Sequence, residues 1–464
     1  MKKLIKLAAA AVCAAMLCGS LPLGAFAEEG ETYDFDPYTD KVWSEAVYMV
    51  NTDTGDVVFK KNETKKMYPA STTKIMTCIV ALEHISDWDK KVTVPYECFN
   101  EFNEDDPNKW YPSNADIQPL QDNLTYKDCI YALMLPSACE AANILAYNIG
   151  GGDISKFIDM MNQKAAEIGC TGTHFSNAHG LYEDENYTTA YDLYLMTKYA
   201  YDNLPRFMEV CDTYEYEMPA NDNNPDPYYI YSTISLIRTT SVYYYEYAHG
   251  VKTGTIDQAG RCLVSTAKNQ YNYILVTLNA PIYDSEGEMY DEWYSMVDHL
   301  NLYQWAFSNF AMATIVNKNE QITQVGVNLG ENASHVVLTP EKDYTALMPK
   351  DIDETSVQKT FKTYETVDAP VEKGDILGVM DVKFKGETIT TVNLVANNSV
   401  TRSEVEYYIE RIKNELGKSW FKVSVVVFVI LLICYIVTKT IENSKKRKLA
   451  AKEKRRFDSY AKKR

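Results

Sequence analysis

YPASTTKIMT, residues 68–77, places a serine, two threonines and a lysine directly behind a proline. Ser71 in this setting is either a residue capping the helix that follows or a nucleophile with Lys74 as its base. S-x-x-K alone decides nothing, because the chain holds it five times, at Ser71, Ser265, Ser356, Ser419 and Ser459. Context separates them. Ser265 falls in a predicted strand, Ser356 in a β-rich region, Ser419 beside a long apolar run and Ser459 in a basic tail. Only Ser71 opens a predicted helix, "TKIMTCIVALEHI", so Lys74 projects from the same face one turn on. The spacing permits both roles.

Working outward, "EAVYMVNTDTGDVVFKKN" is two apolar β-branched runs around Asp53-Thr54-Gly55, a hairpin pattern. "TYKDCIYALMLPSACEAANILAYNIGG" predicts two helices interrupted near Pro136. Two further amphipathic helices follow, "DISKFIDMMNQKAAEIG" and "TTAYDLYLMTKYAYDNL", the second with Thr188 and Thr189 available as caps. "GVKTGTI", "GRCLVSTAKN" and "YNYILVTLNAP" read as three strands of one sheet, and a helix ending at "AFSNF" closes the unit. Strands at both ends with helices between them predict an α+β domain over 36–311. From 314 to 398 the pattern changes to short alternating runs separated by Lys373-Gly374-Asp375 and Lys385-Gly386-Glu387, which predicts a small all-β domain. Residues 401–418 form a polar helical stalk, and no internal repeat is visible.

The two ends are not ordinary fold. Residues 1–27 combine Lys2, Lys3 and Lys6, an apolar run from Leu7 to Leu17, and Ala25-Phe26-Ala27, the pattern of a cleaved secretory signal. Residues 420–438 are almost all apolar, long enough for a helix of about 28 Å. Residues 439–464 carry twelve Lys and Arg against three Asp and Glu, which predicts a cytoplasmic tail and an extracytoplasmic main body. Setting aside the +3 signal and the +9 tail, a total of −18 becomes −30 for the rest. Such a surface disfavours nucleic acid as a partner. Seven cysteines outside both ends are scattered and odd in number, without C-x-x-C, and no H-E-x-x-H occurs. They read as buried thiols, and neither a metal nor a cofactor is expected.

Chemistry enters with two more motifs. "PSACEAAN" puts Ser137 at the helix–helix junction, and Lys252-Thr253-Gly254 occurs once, on a predicted edge strand. S-x-x-K, then a serine of an S-x-N type site, then K-T-G is the motif order of the penicillin-recognising serine enzymes. The chain resembles the low-molecular-mass penicillin-binding proteins, serine-type D-alanyl-D-alanine carboxypeptidases. "NAHGLYEDENYTTAYDL" and "APVEKGDILGVMDV" extend the likeness over about four-fifths of its length. The resemblance implies a DD-peptidase/serine β-lactamase-like domain followed by the all-β domain and a transmembrane helix. It implies that Lys74 takes the proton of Ser71 and that Ser137 passes it to the leaving D-alanine. It further implies that Lys252, Thr253 and Gly254 bind the substrate's terminal carboxylate, and that the N–H groups of Ser71 and Thr255 form the oxyanion hole. Peptidoglycan stem peptides and β-lactams are the implied partners.

One position departs from that pattern. Cys139 stands where the family has the asparagine of S-x-N, and a thiol cannot replace a carboxamide's paired hydrogen bonds. A working variant and a weakened, mainly binding protein both remain open. A serine β-lactamase is the nearest rival, but no E-x-x-L-N lies between Ser137 and Lys252 to hold a deacylating water. His179 reads as structural, and Tyr243-Tyr244-Tyr245 as cleft lining or edge-strand packing.

Overall fold

The computed structural model describes residues 35–102, 113–352 and 356–461, so the predicted signal at 1–27 lies outside it. Its contacts divide the chain into two units, one running to Ala313 and including Ala346–Asp351, the other made of Thr314–Thr345 and everything from Ile352.

In the first unit β1 (Ala46–Asn51) and β2 (Val57–Lys61) form the hairpin around Gly55. The side-chain oxygen of Asn51 accepts from the N–H groups of Asp53 and Thr54, and Gly55 supplies the positive φ of +82° that closes the turn. Two short strands, β3 (Glu215–Met218) and β4 (Tyr228–Tyr231), pair on their own. β5 (Ala248–Ile256), β6 (Gly260–Lys268) and β7 (Asn272–Ala280) return the chain to the first hairpin. The resulting sheet is antiparallel in the order β2-β1-β7-β6-β5, which leaves the K-T-G strand at an edge.

Against one face lies a helical cluster built on α1 (Lys74–His84), in which residues 74–81 are all buried. A helix apolar on every side is what the centre of such a cluster requires. Around it pack α2 (Tyr126–Met134), α3 (Cys139–Ile149), α4 (Ile154–Ile168), α5 (Ala190–Asn203) and α6 (Pro205–Cys211). Thr125 and Asp128 form a reciprocal capping box on α2, and Thr189 caps α5 through Asp192 N–H. The other face is covered by α7 (Tyr294–Asn309), through Leu302, Tyr303 and Ala306. There Ser265 hydrogen-bonds His299 and Tyr303, at 2.7 and 2.8 Å, in a wholly buried network. That second S-x-x-K serine is a core group with its polar needs met. Tyr243, Tyr244 and Tyr245 sit in turns ahead of β5 rather than on an edge strand, with Tyr245 packed near Tyr303 and Phe307.

The second unit is a six-stranded sheet, ordered Val357–Thr363, Ile376–Phe384, Glu387–Ala396, His335–Pro340, Thr323–Asn328, Thr366–Asp368. Alternating residues such as Met380, Val382, Val392 and Leu394 face inward and close its core. Two helices end the chain, α8 (Glu404–Gly417), capped by Ser403, and α9 (Ser419–Ala461). α9 carries the apolar run in its first half and is long and apolar enough to cross a membrane.

Candidate active site

Ser71 lies in a single 3₁₀ turn, Ala70–Thr73, that runs straight into α1. Neither that turn nor α1 has a side-chain cap, so the capping explanation of Ser71 does not apply. The preceding Ala70 has φ of +47°, a left-handed conformation costly for a residue with a Cβ. Two glycines let the surrounding chain close on this turn. A Cβ on Gly180 (φ +84°) would stand 1.9 Å from the Ala70 carbonyl oxygen. One on Gly254 would stand 3.0 Å from both Pro69 O and Ser71 N. The edge strand therefore reaches the Ser71 amide only because K-T-G ends in glycine.

Lys74 is fully buried, with Nζ 3.1 Å from Ser71 Oγ, 3.5 Å from Cys139 Sγ and 2.6 Å from the His179 carbonyl oxygen. Burial pushes its pKa down, opposed by Cys139 and Glu140. A neutral amine has two N–H groups and one lone pair. With the N–H groups given to His179 O and Cys139 Sγ, the lone pair remains for the Ser71 hydroxyl proton, the arrangement a general base needs. His179 contributes through its backbone. Its ring is buried, accepts from Leu181 N–H at Nδ1, and lies 3.1 Å from Glu101 through Nε2.

Ser137, between α2 and α3, has φ of +69°, and its buried Oγ has no hydrogen-bond partner among the described residues. Lys252 is also fully buried, with Nζ donating to Thr253 O at 3.1 Å. Burial, then the charge of Lys74, pushes its pKa well down. Thr253 Oγ1 is 2.6 Å from Thr233 Oγ1. Ser71, Ser137, Thr253, Gly254 and Thr255 all border one cleft of about 350 Å³, while Lys74, Cys139 and Lys252 lie beneath its surface. The sequence-predicted residues are thus brought together from α1, the α2–α3 junction and β5.

Several participants have no motif of their own. Glu140 is buried beside Cys139, accepts Ala115 N–H at 2.6 Å, and burial raises its pKa to about 7. Gly180, Thr233 and Arg261 also belong here, and only Gly180 had a visible marker, in "NAHGLY".

An α+β unit with a serine against a buried lysine, joined to an all-β unit, defines a serine peptidase of the penicillin-binding type. The chain belongs to the D-alanyl-D-alanine carboxypeptidase family, whose sequence profile matches residues 34–282. The penicillin-binding protein 5 C-terminal domain matches residues 310–402. The carboxypeptidase DacF of Bacillus subtilis is 26% identical over 378 residues, 81% of this chain and 90% of that one. The D-alanyl-D-alanine carboxypeptidase of Streptomyces sp. K15 is 30% identical over 252 residues, 52% of this chain and 83% of that one. Among solved structures, DacD from Francisella tularensis shares the fold, with a TM-score of 0.59 at 21% identity over 79% of this chain and 96% of that one.

Proposed function

We propose that the protein removes the terminal D-alanine from peptidoglycan stem pentapeptides through an acyl-enzyme on Ser71, and that β-lactams acylate the same oxygen. The approach of Lys74 Nζ to Ser71 Oγ, 3.1 Å in a fully buried setting, carries this reading. Lys74 takes the hydroxyl proton as Ser71 attacks the penultimate carbonyl carbon. The N–H groups of Ser71 and Thr255 receive the oxyanion. Ser137, its Oγ without a partner among the described residues, passes the proton to the leaving nitrogen, and the peptide C–N bond breaks. Water then cleaves the ester, its proton returns to Ser71, and a stem peptide one residue shorter departs. Thr253, Gly254 and Lys252 form the side of the site that receives the substrate's C-terminus.

Cys139 occupies the asparagine's place and lies 3.5 Å from Lys74, a weaker contact than a carboxamide oxygen would make. The chain reads as a working variant rather than a binding protein, because Lys74 keeps two stronger contacts, to Ser71 Oγ and the His179 carbonyl oxygen. α9 anchors the protein in the membrane, with the peptidase unit outside and the basic tail inside.

The test is direct. Full-length protein in detergent, treated with benzylpenicillin and digested, is expected to carry a penicilloyl increment on the peptide containing Ser71, absent in Ser71→Ala. The same sample is expected to release D-alanine from a pentapeptide. An adduct without release points to a binding protein, and rapid penicillin turnover points to a β-lactamase.

A further inference from the structure

The carboxypeptidase reaction leaves the Cys139 thiol unused, although that thiol touches the amine on which the reaction depends. Cys139 Sγ lies 3.5 Å from Lys74 Nζ, and both residues are buried, at 1% and 0% exposure. Cys139 N–H donates to the Ser113 carbonyl oxygen at 2.8 Å, which fixes the residue at the first turn of α3. Ser113 and Ser137 both border the open cleft, so the sulfur lies directly behind the cleft wall.

A thiol in contact with an amine has chemistry that neither group has alone. Sulfur reacts with oxidants as the thiolate, a form that burial disfavours and that a nearby amine and a helix N-terminus favour. Here burial pushes the thiol pKa up, and Lys74 opposes it. Burial also pushes the Lys74 pKa down, so the amine can act as a base toward the sulfur as well as toward Ser71. Cys170 and Cys262 are placed differently, against the backbone carbonyls of Asp192 and Ala259 at 3.6 and 3.4 Å, which offer no amine.

We propose that Lys74 and Cys139 form a reversible oxidative cross-link, a sulfenamide made with one equivalent of hydrogen peroxide, which switches the enzyme off. The loss of activity rests on the Ser71 reading, whereas the bond itself does not. In the first step Lys74 takes the S–H proton and the sulfur attacks the peroxide. An S–O bond forms, the O–O bond breaks, and the departing hydroxide takes the proton from Lys74 and leaves as water. In the second step Lys74 Nζ attacks the sulfenic sulfur. An N–S bond forms, the S–O bond breaks, and hydroxide leaves with one amine proton as a second water. Cys139 has lost two electrons and the peroxide has gained them. The nitrogen, tied to sulfur, no longer serves Ser71 as a base. A thiol reductant reverses the bond: one thiol attacks the sulfur and frees the amine, and a second reduces the mixed disulfide. The carboxamide of an S-x-N site has no such chemistry, so the switch follows from the cysteine at position 139.

The experiment treats full-length protein in detergent with hydrogen peroxide, removes the excess with catalase, and digests one portion without reductant. The peptides carrying Lys74 and Cys139 are expected to be joined, with the mass of the pair less two hydrogens, and trypsin is expected not to cut after Lys74. Acylation of the other portion by benzylpenicillin is expected to slow by about 100-fold or more, the size of a lost general base. Dithiothreitol is expected to return it to within about twofold of the untreated rate. Cys139→Asn and Cys139→Ala, each compared with its own untreated rate, are expected to change by less than about twofold on peroxide treatment. An equal loss in these variants overturns the proposal. So does Cys139 oxidised to a sulfinic acid with Lys74 free, or a wild type in which neither residue is altered. If untreated wild type forms no Ser71 adduct, the nucleophile reading fails by itself. The joined peptides then decide the cross-link alone: present, it stands, and absent, it falls.

Discussion

At the scale of the residue, the site depends on burying groups that water would keep charged. Lys74 and Lys252 are legible in the sequence as motif members, but their burial is not, because it depends on helices and strands distant in sequence. Glu140 is the least visible case. Its folded pKa of about 7 lies above the ordinary value of 4.5, chiefly through burial. A raised carboxyl binds more protons folded than unfolded between those values, so the stability it confers is full below about pH 4.5 and lost as pH rises through 7. Glu140→Gln keeps an acceptor for Ala115 N–H without the ionisation. Its stability relative to wild type is therefore expected to rise between pH 4.5 and pH 8, by on the order of 3 kcal/mol. Urea unfolding at the two pH values checks this, and a difference independent of pH would place the titration elsewhere.

At the scale of the element, a strained turn is clamped between a loop and a strand. The hairpin, the interrupted helix pair and the edge position of K-T-G could all be read from apolar periodicity, since each follows from local spacing. What periodicity cannot express is contact between elements. The last residue of K-T-G is a glycine because the Pro69 carbonyl and the Ser71 amide stand 3.0 Å from where its Cβ would be. Gly254→Ala is expected to push β5 away from the nucleophile turn and slow acylation, by up to the roughly 100-fold that a misplacement of about 1 Å brings. Stopped-flow acylation by a chromogenic β-lactam measures the rate. An unchanged rate would mean that the strand does not position the site. Ser265 makes the complementary point, because the same S-x-x-K spacing on β6 points into a core where His299 and Tyr303 saturate it.

At the scale of the whole molecule, two folded units are followed by one exposed apolar helix. A chain ended after Gly417 is expected to move from the membrane fraction to the soluble fraction with its penicillin labelling intact, because the apolar run lies wholly in α9. Retention in the membrane fraction would locate the anchor elsewhere. The sequence by itself determined the division into an α+β and an all-β region, the long apolar helix and the order of the three motifs, since each is a local matter of hydropathy, spacing and residue type. Tertiary structure alone decided that the amine beside Ser71 is buried, that Cys139 touches that amine, and that an arginine from a neighbouring strand borders the cleft. The physical reason is that desolvation and proximity are properties of packing, and groups 65 residues apart, such as Lys74 and Cys139, acquire them only when the chain folds.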